Sequence, residues 1–206
     1  PMLSAGQAYV LAAVTGVLFF ASILLHELGH ARVALREGVP VRGITLFIFG
    51  GVAEISEAPK TAGAEFRIAV GGPLVSFALF LLFQGLFLLD GSIPALAAPS
   101  EWLARINLLL LLFNLIPGYP LDGGRMLRAV VWQLSGNEQT GWRVATASGQ
   151  LVSFGFIAWG VFQVIQGNVA NGIWIAFIGW FLQNATAAEN ASRTVQRQLS
   201  GATVRQ

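Results

Sequence analysis

The sequence predicts an all-α polytopic membrane protein with about five transmembrane helices and one small β-hairpin. Three observations carry that expectation. Of 206 residues, 55% are hydrophobic and only 11% are charged, where a soluble domain carries roughly a quarter charged. Several charge-free stretches reach the length of about 20 residues that crosses a bilayer. These stretches are solidly apolar, whereas the strands of a membrane β-barrel alternate in polarity. The chain has no cysteine, which excludes disulfides and thiolate metal ligands within it. Its pI near 9.7 fits the basic cytoplasmic loops of a membrane protein. No basic-aromatic stripe points to nucleic acid.

The elements follow in order. A first span covers about residues 8–35 and holds "LLHELGHARV" in its last third. In "VRGITLFIFGGVAEIS", Gly50-Gly51 separates two β-rich runs, 44–49 and 52–55, and reads as a hairpin too short to cross a membrane. The second span, about 66–89, opens with "VGGPLVSF", and the Pro/Ala-rich stretch 91–100 reads as a loop. A third span begins near Trp102 and breaks at "NLIPGYPLDGGR", where two prolines and three glycines fall within eight residues. A short helix at 126–134 follows, then a fourth span at 142–165, the turn "QGNVANG" and a fifth span at 173–188. The polar tail to Gln206 reads as a helix leaving the membrane.

Charge placement orients these spans. Arg32, Arg36, Arg42, Lys60 and Arg67 lie between spans one and two, Arg125, Arg128 and Arg143 between three and four, and Arg193, Arg197 and Arg205 after span five. All three sets fall on one side, and only Arg105 falls near the other. The positive-inside rule makes the basic side cytoplasmic. Five spans then give an external N-terminus and a cytoplasmic C-terminus, with the HELGH motif and the broken third span toward the cytoplasmic face.

Within the first span the HELGH motif follows eighteen residues without a charge, 8–25, and it contains the only two histidines of the chain. An ionisable group at that depth costs about 2.5 kcal/mol or more unless something satisfies it. His26 and His30 are four apart and share a helix face, close enough to grip one ion. Zn²⁺ suits neutral imidazoles with a third ligand and an open position. Glu27 points about 100° round the helix, where it can take a proton from a zinc-bound water and pass it to a leaving amine. The bland reading is two packed histidines beside an accidental glutamate.

Two further residues stay open on these grounds. Asp122 follows the broken span on the same side as the histidines, before two glycines; it is either the third ligand or the N-cap of the next helix. Asn114, in the apolar run, either makes an interhelical hydrogen bond or donates to an oxyanion formed during attack. Ser76 and the Gly71-Gly72-Pro73 group read as close helix packing.

"HELGH" in a span, "FIFGGVAE", "GGPLVSF" and "NLIPGYPLDGGR", in that order, resemble the site-2 protease family of intramembrane zinc metalloproteases. The likeness runs from about residue 10 to 190. It implies one Zn²⁺ per chain held by His26, His30 and Asp122, with Glu27 as general base and Asn114 in a substrate-positioning or transition-state role. It also implies a multi-pass protease domain at 1–190 followed by a tail or linker at 191–206. The substrate it implies is a transmembrane helix of another protein, cut within the lipid bilayer by regulated intramembrane proteolysis. Family members usually have another span before the HELGH helix. Only about seven residues precede it here and the chain starts at Pro1, so six spans are expected once a missing start is restored. "LSGATVRQ" resembles the junction that leads, in one branch, to a pair of nucleotide-sensing CBS motifs.

A rival class is a transporter or channel that uses the His/Asp cluster to carry metal ions or protons. It does not require Glu27 beside the first histidine. A third is an inactive scaffold stabilised by zinc.

Overall fold

The computed structural model describes residues 4–47, 50–55, 58–90 and 93–201. The chain divides into two compact units, Pro1–Ile116 and Pro117–Gln206.

The first unit holds α1 (Ala5–Arg36), β1 (Val41–Phe47), β2 (Gly50–Ile55), α2 (Ala62–Asp90) and α3 (Pro94–Asn114). Ser4 starts α1 with a capping box: its hydroxyl accepts from the Gln7 amide and its own amide donates to Gln7 Oε1. Gly38, in the left-handed region at φ 73°, turns the chain out of the helix. At that end Arg67 grips Glu37 through two bonds of 2.7 Å. The Arg67 hydrogen bond holds the Glu37 carboxyl below the ordinary glutamate range.

Strands β1 and β2 pair antiparallel, with Thr45 opposite Val52 and Phe47 opposite Gly50, and an irregularity between Val41 and Gly43. The two glycines expected at the turn therefore belong to β2, and Ile48 and Phe49 lie outside the described residues. A small core of Ala34, Val39 and Ile68 joins the ends of α1 and α2. Phe83, Leu103 and Ala104 form another between α2 and α3. Between α1 and α3, Asn107 donates to Ser22 Oγ at 3.3 Å and to the Leu103 carbonyl at 2.8 Å.

Residues 94–100, expected as a loop, are helical. Proline suits the first helical position because the amide it lacks has no partner there, and Pro94 occupies that place. The broken region also differs from expectation, since α4 starts at Asp122, four residues before Met126.

The second unit holds α4 (Asp122–Ser135), α5 (Glu138–Ile165) and α6 (Val169–Gly201). Gly136, at φ 66°, ends α4. The Asn137 side chain caps α5 by accepting from the Gln139 and Thr140 amides. Helices α5 and α6 touch through glycines. A Cβ at Gly160 would lie 2.5 Å from the Ala176 nitrogen, and one at Gly172 would lie 2.5 Å from the Gly160 carbonyl oxygen.

Among the described residues, four helices are long and apolar enough to cross a membrane: Ala5–Arg36, Ala62–Leu89, Leu96–Asn114 and Glu138–Ile165. Only 11% of the apolar window of the first is buried in protein. A helix apolar all round and so little covered has lipid as its solvent. The fifth expected span, 173–188, lies within α6, which is not among the four; Gln183, Asn184 and Thr186 interrupt its apolar run.

Candidate metal centre

In the first unit, the centre is built where α1 and α2 come closest. A Cβ on Gly29 would lie 2.5 Å from the Gly71 carbonyl oxygen, and one on Gly71 would lie 2.6 Å from that of Gly29. Only a pair of glycines lets the two backbones meet there. This approach carries the α2 backbone to the imidazoles of α1. His26 and His30 share one face of α1 and are 3% and 4% exposed.

Each ring is held by its Nδ1. His30 Nδ1 lies 2.7 Å from the Ile68 carbonyl oxygen. The Gly72 amide stands 3.3 Å from the same nitrogen, but the shorter contact decides the tautomer. A carbonyl can only accept, so Nδ1 carries the proton, which in a neutral ring leaves the lone pair on Nε2. His26 Nδ1 lies 2.8 Å from Ser76 Oγ. The two Nε2 atoms converge to 3.2 Å, with the rings edge to face at 77°.

Ile68, Gly72 and Ser76 recur every fourth residue along the stripe of α2 that meets these rings. A Cβ on Gly72 would overlap the Nε2 atoms of both histidines. The missing side chain thus lets both rings sit against the α2 backbone. Two Nδ1 anchors, two converging Nε2 atoms and a cradle that one methyl would fill suit a Zn²⁺ ion bound by neutral imidazole.

Glu27 is half-buried on the next position of α1. Asn114, the last residue of α3, donates its side-chain amide to the Leu110 carbonyl of its own helix at 3.0 Å. That bond is intrahelical. Ser76 and Gly72, read as packing residues, are the ones sequence reasoning missed. Their signal was phase: a small residue and a hydroxyl one turn apart on α2, matching the one-turn spacing of the histidines.

Asp122 belongs to the second unit, where it is 8% exposed. Leu121 is the N-cap of α4 and Asp122 its first helical residue, so the carboxylate is not the cap. The first turn still favours its negative charge. The segment before it is pinned from several sides. The Tyr119 amide donates to the Ala145 carbonyl at 3.2 Å, Thr186 Oγ1 donates to the Tyr119 carbonyl at 2.9 Å, and Ser148 Oγ donates to the Pro117 carbonyl. Gly149 makes room for that backbone, since a Cβ there would overlap the Tyr119 carbonyl oxygen. Below it, Arg128 is 3% exposed, donates to Glu138 at 2.6 Å and lies against the Trp142 ring at 5.4 Å.

The sequence matches Peptidase family M50 over residues 14–92 and 89–156. It is 44% identical over 93% of its length to a zinc metalloprotease of Synechocystis sp., covering 51% of that protein. It is 41% identical over 95% of its length to the zinc metalloprotease Rip3 of Mycobacterium tuberculosis, again covering 51%. The chain thus spans about half the length of these curated relatives. The site-2 protease from Methanocaldococcus jannaschii has a similar structure, with a TM-score of 0.64 and 29% identity, covering 89% of this chain and 85% of that one. With helices apolar enough to span a bilayer and the HELGH histidines turned inward on one of them, the chain is an integral membrane protein that belongs to Peptidase family M50, the site-2 protease family of zinc metalloproteases.

Proposed function

We propose that this chain is an intramembrane protease that hydrolyses a peptide bond within or near a transmembrane helix of a membrane-protein substrate. The observation that carries the reading is the convergence of the His26 and His30 Nε2 atoms in front of Gly72, on a helix apolar enough to span a bilayer. Asp122 is the third ligand in this reading. Its support is the family's motif, its burial and its chemistry, because two imidazoles and one carboxylate are a donor set that could hold zinc. A bound Zn²⁺ would lower the pKa of the attacking water and polarise the scissile carbonyl. Glu27, beside the first ligand on α1, would take a proton from the attacking water and hand it to the leaving amine. Asn114 is assigned a substrate-positioning role, which requires its amide to leave the Leu110 carbonyl.

The protease domain is read as residues 1–190, with a tail or linker at 191–206. The positive-inside rule puts the centre toward the cytoplasm, the side from which water would enter. A helical substrate hides its carbonyls in its own hydrogen bonds and must unwind before it is cut. Among the described residues β1 and β2 pair only with each other, and an unwound strand could add to an outer edge.

Cleavage of a reconstituted transmembrane substrate tests the proposal, with zinc content measured alongside. Wild type should cut, and Glu27→Gln should keep its zinc and cut at least about 100-fold more slowly. Equal cleavage by both forms removes Glu27 from the chemistry. No cleavage by either, with ion flux in liposomes, would support the transporter instead.

A further inference from the structure

The two imidazoles are anchored differently. His30 is held by a backbone carbonyl, Ile68 O at 2.7 Å. His26 is held by a side chain, Ser76 Oγ at 2.8 Å, and Ser76 has no exposed surface at all. We infer that Ser76 is a positioning residue of the metal centre, which accepts the Nδ1–H of His26 and so turns its Nε2 lone pair toward that of His30. The inference rests on the proposed metal site.

The argument is one of tautomers. A neutral imidazole has one N–H and one lone pair, and the hydrogen bond made by one nitrogen selects which of them the other carries. Were Ser76 to donate to Nδ1, the His26 proton would sit on Nε2 and point at the His30 Nε2, 3.2 Å away. An ion held by both rings needs both lone pairs on that side, so the hydroxyl must accept. Its place supports this role. Ser76 stands one turn beyond Gly72 on the stripe of α2 that faces α1, so the helix against which both rings sit also orients one of them. A serine retained only for close packing would do equally well as alanine.

The test uses the full chain purified in detergent or nanodiscs. Zinc affinity is measured by chelator competition for wild type, Ser76→Ala, Ser76→Thr and His26→Ala. Loss of an outer-shell partner typically weakens metal binding about 10–100-fold, and a fall in that range is expected for Ser76→Ala. The threonine hydroxyl should recover most of it. In the cobalt-substituted protein, the visible bands of Ser76→Ala should shift and broaden as His26 loses its fixed angle. Wild-type affinity and spectrum in Ser76→Ala would overturn the inference. Wild-type affinity in His26→Ala would instead overturn the metal reading itself, so the two failures are distinguishable. Nitrogen NMR of the zinc-loaded wild type gives a check without substitution. It should show His26 protonated at Nδ1 and ligated through Nε2; the reverse arrangement would sink the proposal whatever the variants do.

Discussion

Replacing Gly72 by alanine adds one methyl group at the point where both histidines present their Nε2 atoms. The added carbon would lie 2.5 Å from His26 Nε2 and 2.7 Å from His30 Cε1, and would overlap His30 Nε2. Ordinary contact begins near 3.4 Å, so ring and backbone must separate by about 1 Å, a distance at which packed atoms no longer tolerate overlap. Zinc–nitrogen bonds are about 2.0–2.1 Å long and tolerate errors of about 0.2 Å. The displacement is several times that tolerance. Zinc affinity should therefore fall by more than the roughly 100-fold ceiling typical of losing an outer-shell partner. The fold should survive, because overpacking by one carbon costs about 1–3 kcal/mol. The assay is chelator competition on purified protein, with thermal unfolding of the zinc-free form in parallel. Gly85→Ala is the control: it lies on the same helix with nothing within 4 Å of its added Cβ, and should bind zinc as wild type does. Wild-type affinity in Gly72→Ala would refute the placement of the ion between the two rings.

Other substitutions probe the surrounding structure. Gly149→Ala forces the Tyr119 backbone away from α5 and should lower stability by about 2–3 kcal/mol in thermal or denaturant unfolding; cleavage should fall with it as the segment leading to Asp122 shifts. Val52→Pro, placed opposite Thr45 in β2, removes a backbone donor from the hairpin and should slow cleavage about tenfold while zinc content stays unchanged, whereas unaltered turnover would count against substrate pairing on its edge. Glu37, whose carboxyl the Arg67 hydrogen bond holds below the ordinary range, stabilises the junction of α1 and α2 at neutral pH. That contribution is full above the unfolded glutamate value of about 4.3 and fades as pH drops through the lowered folded value. Glu37→Gln should therefore show a smaller loss of melting temperature between pH 5 and 3 than wild type, and the difference should shrink in high salt because the pair is solvent-accessible.

Features written within a single helix were legible in the sequence. His26, Glu27 and His30 lie within five residues, so their shared turn follows from helix geometry alone. The charge-free runs marked α1, α2 and α5 because lipid demands unbroken apolarity. Features that depend on which helix meets which were not. The phase of Ser76 and Gly72 on α2 could be computed, but not that this stripe would face the histidines, since pairing is decided by the Gly29–Gly71 contact 42 residues apart. Pro94 and Pro99 misled in the opposite direction. Proline reads as a breaker, yet it is tolerated at a helix start and, in lipid, even inside a helix. The fifth expected span is not among the four most apolar helices, because amides and a hydroxyl enter the apolar stretch of α6. The motif drew attention to Asp122, but the bonds that pin its segment come from α5 and α6, up to 67 residues away.

The unequal anchoring of the two imidazoles gives them unequal evolutionary freedom. The grip on His30 comes from a peptide group, which every amino acid at position 68 would supply, so no single codon change deletes the acceptor. The grip on His26 is encoded by one side chain and is therefore heritable, adjustable and exposed to loss. Drift and selection among descendants of this chain can retune metal retention through Ser76 while the other half of the clasp stays fixed.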